Sequence, residues 1–136
     1  MDNIKFCKKN EFSDLIKFLK KNWVNKNTKF KNKKFLKWQY FNTKYKKYNF
    51  LIIKRKNKIK ACLGLIFNKN SKKNIIWFNL WLVDRKNREN VNGLDLIKYL
   101  TTKYKKSIVM TTGINPNTAF IYKALGFKIK NLEQYF

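Results

Sequence analysis

The segment from Trp81 to Leu100 constrains the fold of this chain more than any other. Its sequence is Trp-Leu-Val-Asp-Arg-Lys-Asn-Arg-Glu-Asn-Val-Asn-Gly-Leu-Asp-Leu-Ile-Lys-Tyr-Leu, so an apolar strand leads into a polar loop that opens into a helix. The first turn of a helix leaves backbone N–H groups without partners and attracts anions. The loop is therefore either a cradle for a phosphate group or an ordinary strand-to-helix turn in which Gly93 supplies backbone freedom.

The composition predicts one domain and excludes several enzyme classes. A chain of 136 residues that is 44% hydrophobic is long enough to bury its own core. Cys7 and Cys62 lie far apart, His is absent, and Asp plus Glu number only seven, which predicts neither a metal site nor a His-based nucleophile. No segment has the order of a signal peptide or the ~20 apolar residues of a membrane span. We therefore expect a cytoplasmic protein.

The charge favours anionic partners. Thirty-three Lys and Arg against seven Asp and Glu give a net charge of +26, which would attract any polyanion, including nucleic acid. Only Arg55, Arg85 and Arg88 are arginines, however, and base edges and phosphates are preferentially bound by Arg. The lysines are also spread along the whole chain. The chain is also rich in Asn, Ile, Phe and Tyr, as the codons of an AT-rich genome would impose, so we interpret most of the charge as background. The scarcity of Asp and Glu still favours anionic ligands, with nucleic acid not favoured among them.

The first part of the chain predicts one strand and two helices. Asn3 to Lys8 alternates apolar and polar residues, which is typical of a strand. Glu11 to Trp23 carries a single apolar stripe at helical spacing and predicts an amphipathic helix. After a linker from Val24 to Lys34, the aromatic segment Phe35 to Phe41 predicts a second, weaker helix.

The middle of the chain predicts three strands. Phe50 to Lys54 and Ile59 to Phe67 flank a short polar turn and form a predicted hairpin, in which Gly64 marks a bulge. Ile75 to Val83 is apolar on both faces, which predicts a position at the centre of the sheet. Its alternation places Ile75, Trp77, Trp81 and Val83 on one face and Ile76, Phe78, Leu80 and Leu82 on the other. Asn79 either satisfies its hydrogen bonds internally or faces a cavity.

The last part predicts a strand, a capped helix and a further strand. Ser107 to Thr112 is predicted as a buried strand, and Asn115 as the cap of a helix that begins at Pro116 and is stopped by Gly126. A final strand is predicted to begin over Phe127 to Ile129. The predicted apolar face of the helix consists of Phe120, Ile121, Ala124 and Leu125.

This order of elements and two motifs resemble the GCN5-related N-acetyltransferases, the GNAT family, over essentially the whole chain. Arg88-Glu-Asn-Val-Asn-Gly93 matches the family's acyl-CoA loop, with Val91 where the family has its first glycine. Asn115-Pro-Asn-Thr-Ala-Phe-Ile-Tyr122, closed by Leu-Gly-Phe127, matches a second motif. The resemblance implies an α+β fold of the α/β/α sandwich type, with a mixed, mostly antiparallel sheet, helices on both faces and one domain over residues 1–136.

The resemblance also implies a reaction and a set of site residues. The protein would transfer an acetyl group from acetyl-CoA to a primary amine. Tyr122 would protonate the leaving thiolate, Asn115 would help to seat the pantetheine arm, and the backbone of Leu82 and Val83 would polarise the thioester carbonyl. The pyrophosphate would be held by the loop residues Arg88, Glu89, Asn90, Val91, Asn92 and Gly93.

The acceptor is implied only by a finer similarity, to GNAT proteins tied to surface-polysaccharide synthesis. Those proteins acetylate amino sugars on nucleotide carriers, and here an aromatic and amide set would bind the sugar. Its members are Trp38, Tyr40, Trp77 and Asn79, although Trp38 and Tyr40 are more typical of a core. A second interpretation is a basic GNAT-fold module for RNA or the ribosome with a degenerate CoA site. A third is acetylation of a protein or a polyamine.

The family usually closes its sheet with one more strand than this chain supplies after the tyrosine helix. We expect either that the sequence is a fragment, or that the last strand is missing or supplied by a partner, which would make the protein a dimer. An exposed edge carrying Lys128 and Lys130 would be protected from aggregation by charge.

Overall fold

The computed structural model describes residues 3–24, 31–68, 73–87 and 91–133. These residues form a six-stranded sheet and four α-helices. The strands are β1 (Ile4–Lys8), β2 (Phe41–Asn42), β3 (Lys47–Arg55), β4 (Lys58–Asn68), β5 (Ile75–Val83) and β6 (Ile108–Met110); the helices are α1 (Phe12–Asn22), α2 (Lys33–Tyr40), α3 (Leu94–Lys103) and α4 (Ala119–Ala124).

The sheet is mixed and mostly antiparallel, as the resemblance to the GNAT family implies. Its order is β1-β3-β4-β5-β6, with the short β2 paired to β3, and only β5 and β6 run parallel. The prediction that β5 lies at the centre of the sheet is wrong. The central strand is β4, because only the three-residue strand β6 lies beyond β5.

Helices cover both faces of the sheet and form two separate cores. On one face, α1 and α2 pack on alternate residues of β3 and β4, with Leu15, Leu19 and Leu36 fully buried. On the other face, Leu96, Ile97 and Leu100 of α3 pack on the remaining residues of those strands. The sheet is therefore the middle layer of a three-layer α+β domain.

The predicted hairpin between β3 and β4 is confirmed. Arg55 pairs with Lys58, and the two intervening residues, Lys56 and Asn57, have φ of 46° and 61°. A two-residue turn with positive φ at both positions matches the twist of antiparallel strands. The turn thus sets the pairing at the start of the hairpin, and a bulge between Ile53 and Lys54 then shifts the register by one residue.

A buried carboxylate ties α1 to the sheet edge. Glu11 accepts hydrogen bonds from Lys5 Nζ at 2.7 Å, from Lys54 Nζ at 3.0 Å and from the Lys8 backbone at 3.0 Å. Burial alone would raise the pKa of Glu11, but these three donors together outweigh it and lower the pKa to about 2. Glu11 therefore links β1, β3 and the start of α1.

A bulge divides β5 into two halves. Cys62 pairs with Leu82 while Gly64 pairs with Asn79, so Leu80 and Trp81 together oppose a single residue of β4. Leu80 has a φ of 49°, which is unusual for a residue with a side chain. The extra residue shifts the alternation, and the predicted faces are therefore wrong beyond it: Ile76 and Phe78 share the α3 face with Trp81 and Val83, whereas Leu80 and Leu82 face α1.

The C-terminal part differs from the prediction in three places. Strand β6 is short, and Ile108 is exposed rather than buried. Phe120 and Ala124 of α4 are exposed and Tyr122 is buried instead, so the predicted apolar face is wrong at these positions. The α-helix begins after a 3₁₀ turn over Pro116–Thr118. Residues 127–129 form no strand, although Phe127 and Ile129 pack on the α3 side of the sheet.

Within the described ranges, no helix combines the length and the apolar character needed to cross a lipid bilayer.

Candidate functional site

The two parallel strands separate after a short pairing. Ile75–Trp77 pairs with Ile108–Met110, and Thr111 Oγ1 then donates to the Phe78 carbonyl at 2.7 Å. From Asn79 to Val83, no strand of the described chain pairs with the side of β5 that faces away from β4. The bulge at Leu80 lies at this point of separation. The carboxyl-terminal half of β5 therefore borders an opening, which is where ligands bind in open sheets.

Backbone donors lie at the entrance to α3. The N–H groups of Val91, Asn92 and Gly93 have no hydrogen-bond acceptor among the described residues. Val91 is buried in the core beneath α3, so its side chain is directed inward. Three consecutive free N–H groups at a helix N-terminus are suited to an anion.

Asn92 organises the first turn of α3. Its Oδ1 accepts from Leu94 N at 3.2 Å, and its Nδ2 donates to Asp95 Oδ1 at 3.0 Å. The Asp95 and Leu96 N–H groups donate to the Asn92 and Gly93 carbonyls. The donors left for a ligand therefore lie just before the helix and not within its first turn.

Gly93 is required for close packing and not for backbone freedom. Its φ of −61° and ψ of −22° are ordinary for any residue. A Cβ atom at this position would lie 2.4 Å from Val83 Cγ2 and 3.3 Å from Trp81 Nε1. The Trp81 indole donates to the Gly93 carbonyl at 3.0 Å. Gly93 thus lets the start of α3 press against the end of β5.

Tyr122 lies beside this opening. Its ring is buried among Phe78, Trp81 and Phe127, with centroid distances of 6.1, 5.9 and 5.9 Å. Its hydroxyl makes no hydrogen bond to a described residue, and the side chain lines a groove of about 430 Å³ that runs along β6. Burial raises the pKa of Tyr122, so the hydroxyl keeps its proton at neutral pH.

Asn115 caps the helical segment that carries Tyr122, as predicted. Its Oδ1 accepts from Asn117 N at 3.0 Å, Pro116 takes the first helical position, and Gly126 ends α4 with a φ of 85°. The cap uses the side-chain oxygen of Asn115 and leaves its amide nitrogen without a partner among the described residues.

Tyr40 and Asn79 are brought together from positions 39 residues apart. The Tyr40 hydroxyl donates to Asn79 Oδ1 at 2.7 Å. Gly64 makes room for this pair, since a Cβ there would lie 2.9 Å from Asn79 Oδ1 and 3.1 Å from the Tyr40 ring. The oxygen of Asn79 is therefore satisfied internally, while its nitrogen has no acceptor among the described residues.

The other predicted site residues are spread over several regions. Trp38 is 79% exposed on the outer side of α2, so its expected place in the core is wrong. Trp77 is partly buried and lines the groove along β6. Leu82 and Val83 form the end of β5, with Leu82 facing α1 and Val83 facing α3. Arg88, Glu89 and Asn90 lie outside the described residues.

Asp84 follows β5 directly and is buried. Lys60 Nζ lies 2.9 Å from one carboxylate oxygen, and Lys21 Nζ lies 3.9 Å from the other. Asp84 is the carboxylate nearest in sequence to the opening, and these two lysines already neutralise it. The sequence does not predict this ion pair, because Lys60 is one of many lysines. Within the described ranges, no group of three or more His, Cys, Asp or Glu is arranged to hold a metal ion.

Comparison with known proteins identifies the fold. No protein-family model matches the sequence, and no curated protein is similar to it in sequence. Glucosamine-6-phosphate N-acetyltransferase from Arabidopsis thaliana superposes with a TM-score of 0.71 at 13% identity, over 100% of this chain and 97% of its own.

Two further solved structures have the same fold as this chain. A predicted acetyltransferase from Clostridium acetobutylicum, solved with acetyl-CoA, has a TM-score of 0.73 at 12% identity and covers 100% of this chain and 96% of its own. An aminoglycoside acetyltransferase from an uncultured soil metagenomic sample has a TM-score of 0.67 at 16% identity, with 98% and 94% covered. The chain therefore has the GNAT fold that these acetyltransferases share.

Proposed function

We propose that this protein transfers an acetyl group from acetyl-CoA to a primary amine of a small molecule. One observation carries the proposal: the Tyr122 hydroxyl is protonated, has no hydrogen-bond partner among the described residues, and lies beside the opening between β5 and β6. A buried ring whose hydroxyl served only packing would be expected to find a local acceptor.

The donor would lie along the carboxyl-terminal half of β5. The N–H groups of Val91, Asn92 and Gly93, which have no acceptor among the described residues, fit a pyrophosphate. The backbone of Leu82 and Val83 would polarise the thioester carbonyl. Arg88, Glu89 and Asn90 would complete the phosphate loop. The free amide nitrogen of Asn115 would hydrogen-bond the pantetheine arm.

The reaction would need one acid and one proton acceptor. The amine nitrogen attacks the thioester carbonyl carbon and forms the C–N bond. The C–S bond then breaks, and Tyr122 donates its proton to the leaving thiolate. The nitrogen loses a proton to water, since the buried Asp84 is already engaged by Lys60 and Lys21.

We propose an amino sugar bearing phosphate, such as one on a nucleotide carrier, as the acceptor. Two of the similar structures act, by name, on glucosamine-6-phosphate and on aminoglycosides, and both of these are amino sugars. A net charge of +26 repels a polycation and attracts a phosphorylated acceptor, which disfavours polyamines. The amide nitrogen of Asn79, beside the bulge, and Trp77 would contact the sugar; Tyr40 orients Asn79, and Trp38 would contribute only at the surface.

The alternative is a basic module that binds RNA or the ribosome and lacks acyl transfer. The charge and the valine in place of a loop glycine favour it. A thermal-shift series with acetyl-CoA, heparin and RNA at low and moderate salt separates the two functions. An acyl-CoA site gives a rise in melting temperature that persists at moderate salt and follows ligand concentration.

Equal rises in melting temperature with acetyl-CoA, heparin and RNA, each lost as the salt concentration rises, would support the binding module instead.

The dimer and the cytoplasmic location stay predictions. Light scattering tests the first, and a well-behaved monomer would count against it.

A further inference from the structure

A second pocket lies at the opposite end of the sheet from the loop that precedes α3. Its volume is about 250 Å³, and its lining includes Asn68 at the end of β4, Ile75 at the start of β5 and Tyr104 at the C-terminus of α3. The helix between the two places has ten residues, which separates them by roughly 15 Å. The pocket is therefore distinct from the proposed acyl-transfer site.

Aromatic rings form its walls. Phe6, Tyr45, Phe67 and Tyr104 all line the pocket, and the Phe67 and Tyr104 rings meet edge to face at 5.6 Å. Asn42 Oδ1 accepts from Tyr45 N at 3.2 Å and fixes the turn that carries Tyr45, whose ring is 57% exposed. An exposed ring on a fixed turn is suited to stacking on the flat face of a ligand.

Two ammonium groups converge on one of these rings. Lys47 Nζ lies 3.9 Å and Lys103 Nζ 5.2 Å from the Phe6 ring centroid. Neither ammonium has a carboxylate partner among the described residues, and the pocket lining contains no carboxylate. A cation–π contact with the Phe6 ring stabilises an ammonium group less than a bound anion would, so both ammonium groups remain suited to an anionic ligand. The pocket therefore favours an anionic ligand.

The lining also contains four asparagine amides. The side chains of Asn49 and Asn74 make no hydrogen bond to a described residue. Each offers both a carbonyl acceptor and NH₂ donors. The edge of a nucleobase presents the complementary alternation of donors and acceptors.

We propose that this pocket binds a nucleotide with a single-ring base. The base stacks on Tyr45 and bonds the amides of Asn49 and Asn74, and the phosphate lies between Lys47 and Lys103. The volume accommodates one base and not a whole dinucleotide. The nucleotide is either free or part of a single-stranded RNA, since the recognised chemistry is the same. The site does not depend on acetyl transfer.

Isothermal titration calorimetry without any acyl donor tests the proposal. The ligands are uridine 5′-monophosphate, uridine, ribose 5-phosphate and a short oligouridylate. The pocket variants are Tyr45→Ala and the double variant Lys47→Gln/Lys103→Gln. The matched control, Lys37→Gln/Lys123→Gln, removes the same charge from exposed positions on α2 and α4. Melting temperatures establish that each variant is folded.

We expect uridine 5′-monophosphate to bind about tenfold or more tightly than uridine or ribose 5-phosphate, because base and phosphate contacts add. Each pocket variant should bind uridine 5′-monophosphate about tenfold more weakly, and the control variant should bind it with an affinity within about twofold of that of the unchanged protein. Affinity that rises with oligouridylate length identifies a single strand as the ligand, and constant affinity identifies the free nucleotide. Equal binding of ribose 5-phosphate, or equal losses in the control, would overturn the proposal.

Discussion

The Tyr40 hydroxyl donates a 2.7 Å hydrogen bond to Asn79 Oδ1 across the space left by the missing side chain of Gly64. Tyr40 is fully buried, and burial raises its pKa, so the hydroxyl remains a donor at neutral pH. The bond joins the end of α2 to β5 immediately before the bulge at Leu80. It therefore fixes the strand at the point where β5 and β6 separate.

Replacing Tyr40 by Phe should lower the free energy of unfolding by about 1–2 kcal/mol, because the Asn79 oxygen loses its donor in the core. Urea denaturation of Tyr40→Phe, Asn79→Ala and the double variant measures the coupling. The two effects should not add, since either change alone breaks the bond. Strict additivity would contradict a stabilising role for this contact.

Replacing Gly93 by Ala should destabilise the protein by about 2–3 kcal/mol and weaken acetyl-CoA binding, because the new Cβ atom cannot fit against Val83. Gly126→Ala is the control. Its φ of 85° imposes strain, but its Cβ meets nothing within 4 Å. We expect it to lose about 1 kcal/mol with unchanged acetyl-CoA affinity. Thermal unfolding and calorimetric titration measure both quantities, and equal affinity losses would contradict the role of Gly93.

Tyr122→Phe should reduce turnover by about 10²-fold or more, because it removes the acid but keeps the ring. Stability should change by less than about 0.5 kcal/mol, since the hydroxyl bonds no described residue. The Michaelis constant for acetyl-CoA should stay within about twofold. A thiol-release assay with glucosamine-6-phosphate as a trial acceptor measures turnover. Normal turnover together with a marked loss of stability would assign Tyr122 a packing role.

The stability of the domain should fall in acid as Glu11 becomes protonated. Its pKa is about 2 in the folded protein against 4.5 ordinarily, so the unfolded chain binds the proton more tightly. Its contribution, on the order of 2 kcal/mol, is fully present above about pH 4.5 and is lost as the pH falls towards 2. Glu11→Gln should lower stability at neutral pH and flatten the pH profile between these values. An unchanged profile would argue against the Lys5 and Lys54 pairings.

Local signals predicted the parts of the fold that depend on neighbouring residues. Asn115, Pro116 and Gly126 specify the start and the end of the C-terminal helical segment by capping, by fixed φ and by positive φ. The polar turn that includes Lys56 and Asn57 similarly specified the hairpin. In these cases the responsible residues lie within the segment that they organise, so no tertiary information is needed.

The misassigned positions depend on tertiary contacts. The sequence of β5 is apolar on both faces and carries no mark of a bulge, and only its pairing with β4 shows the extra residue at Leu80. Phe120 and Trp38 are as apolar as buried residues, but neither has a layer of protein above it. The Tyr40–Asn79 bond joins distant positions, and no spacing rule relates them. That the N–H groups of residues 91–93 have no acceptor among the described residues likewise appears only from the folded structure.

The bulge at Leu80 also bears on how this strand can change over evolutionary time. Because the bulge adds one residue, the alternation of side chains between the two faces of the sheet changes phase at Leu80. A substitution on one side of the bulge therefore does not restrict which residues face α3 on the other side. The half of β5 that pairs with β6 and the half that follows the bulge can diversify at separate rates. Deleting the residue would turn Trp81 and Val83 towards α1, and the consequences would reach the start of α3 through Gly93. Lineages that share this architecture should accept substitutions on either side of the bulge far more readily than a change in its length.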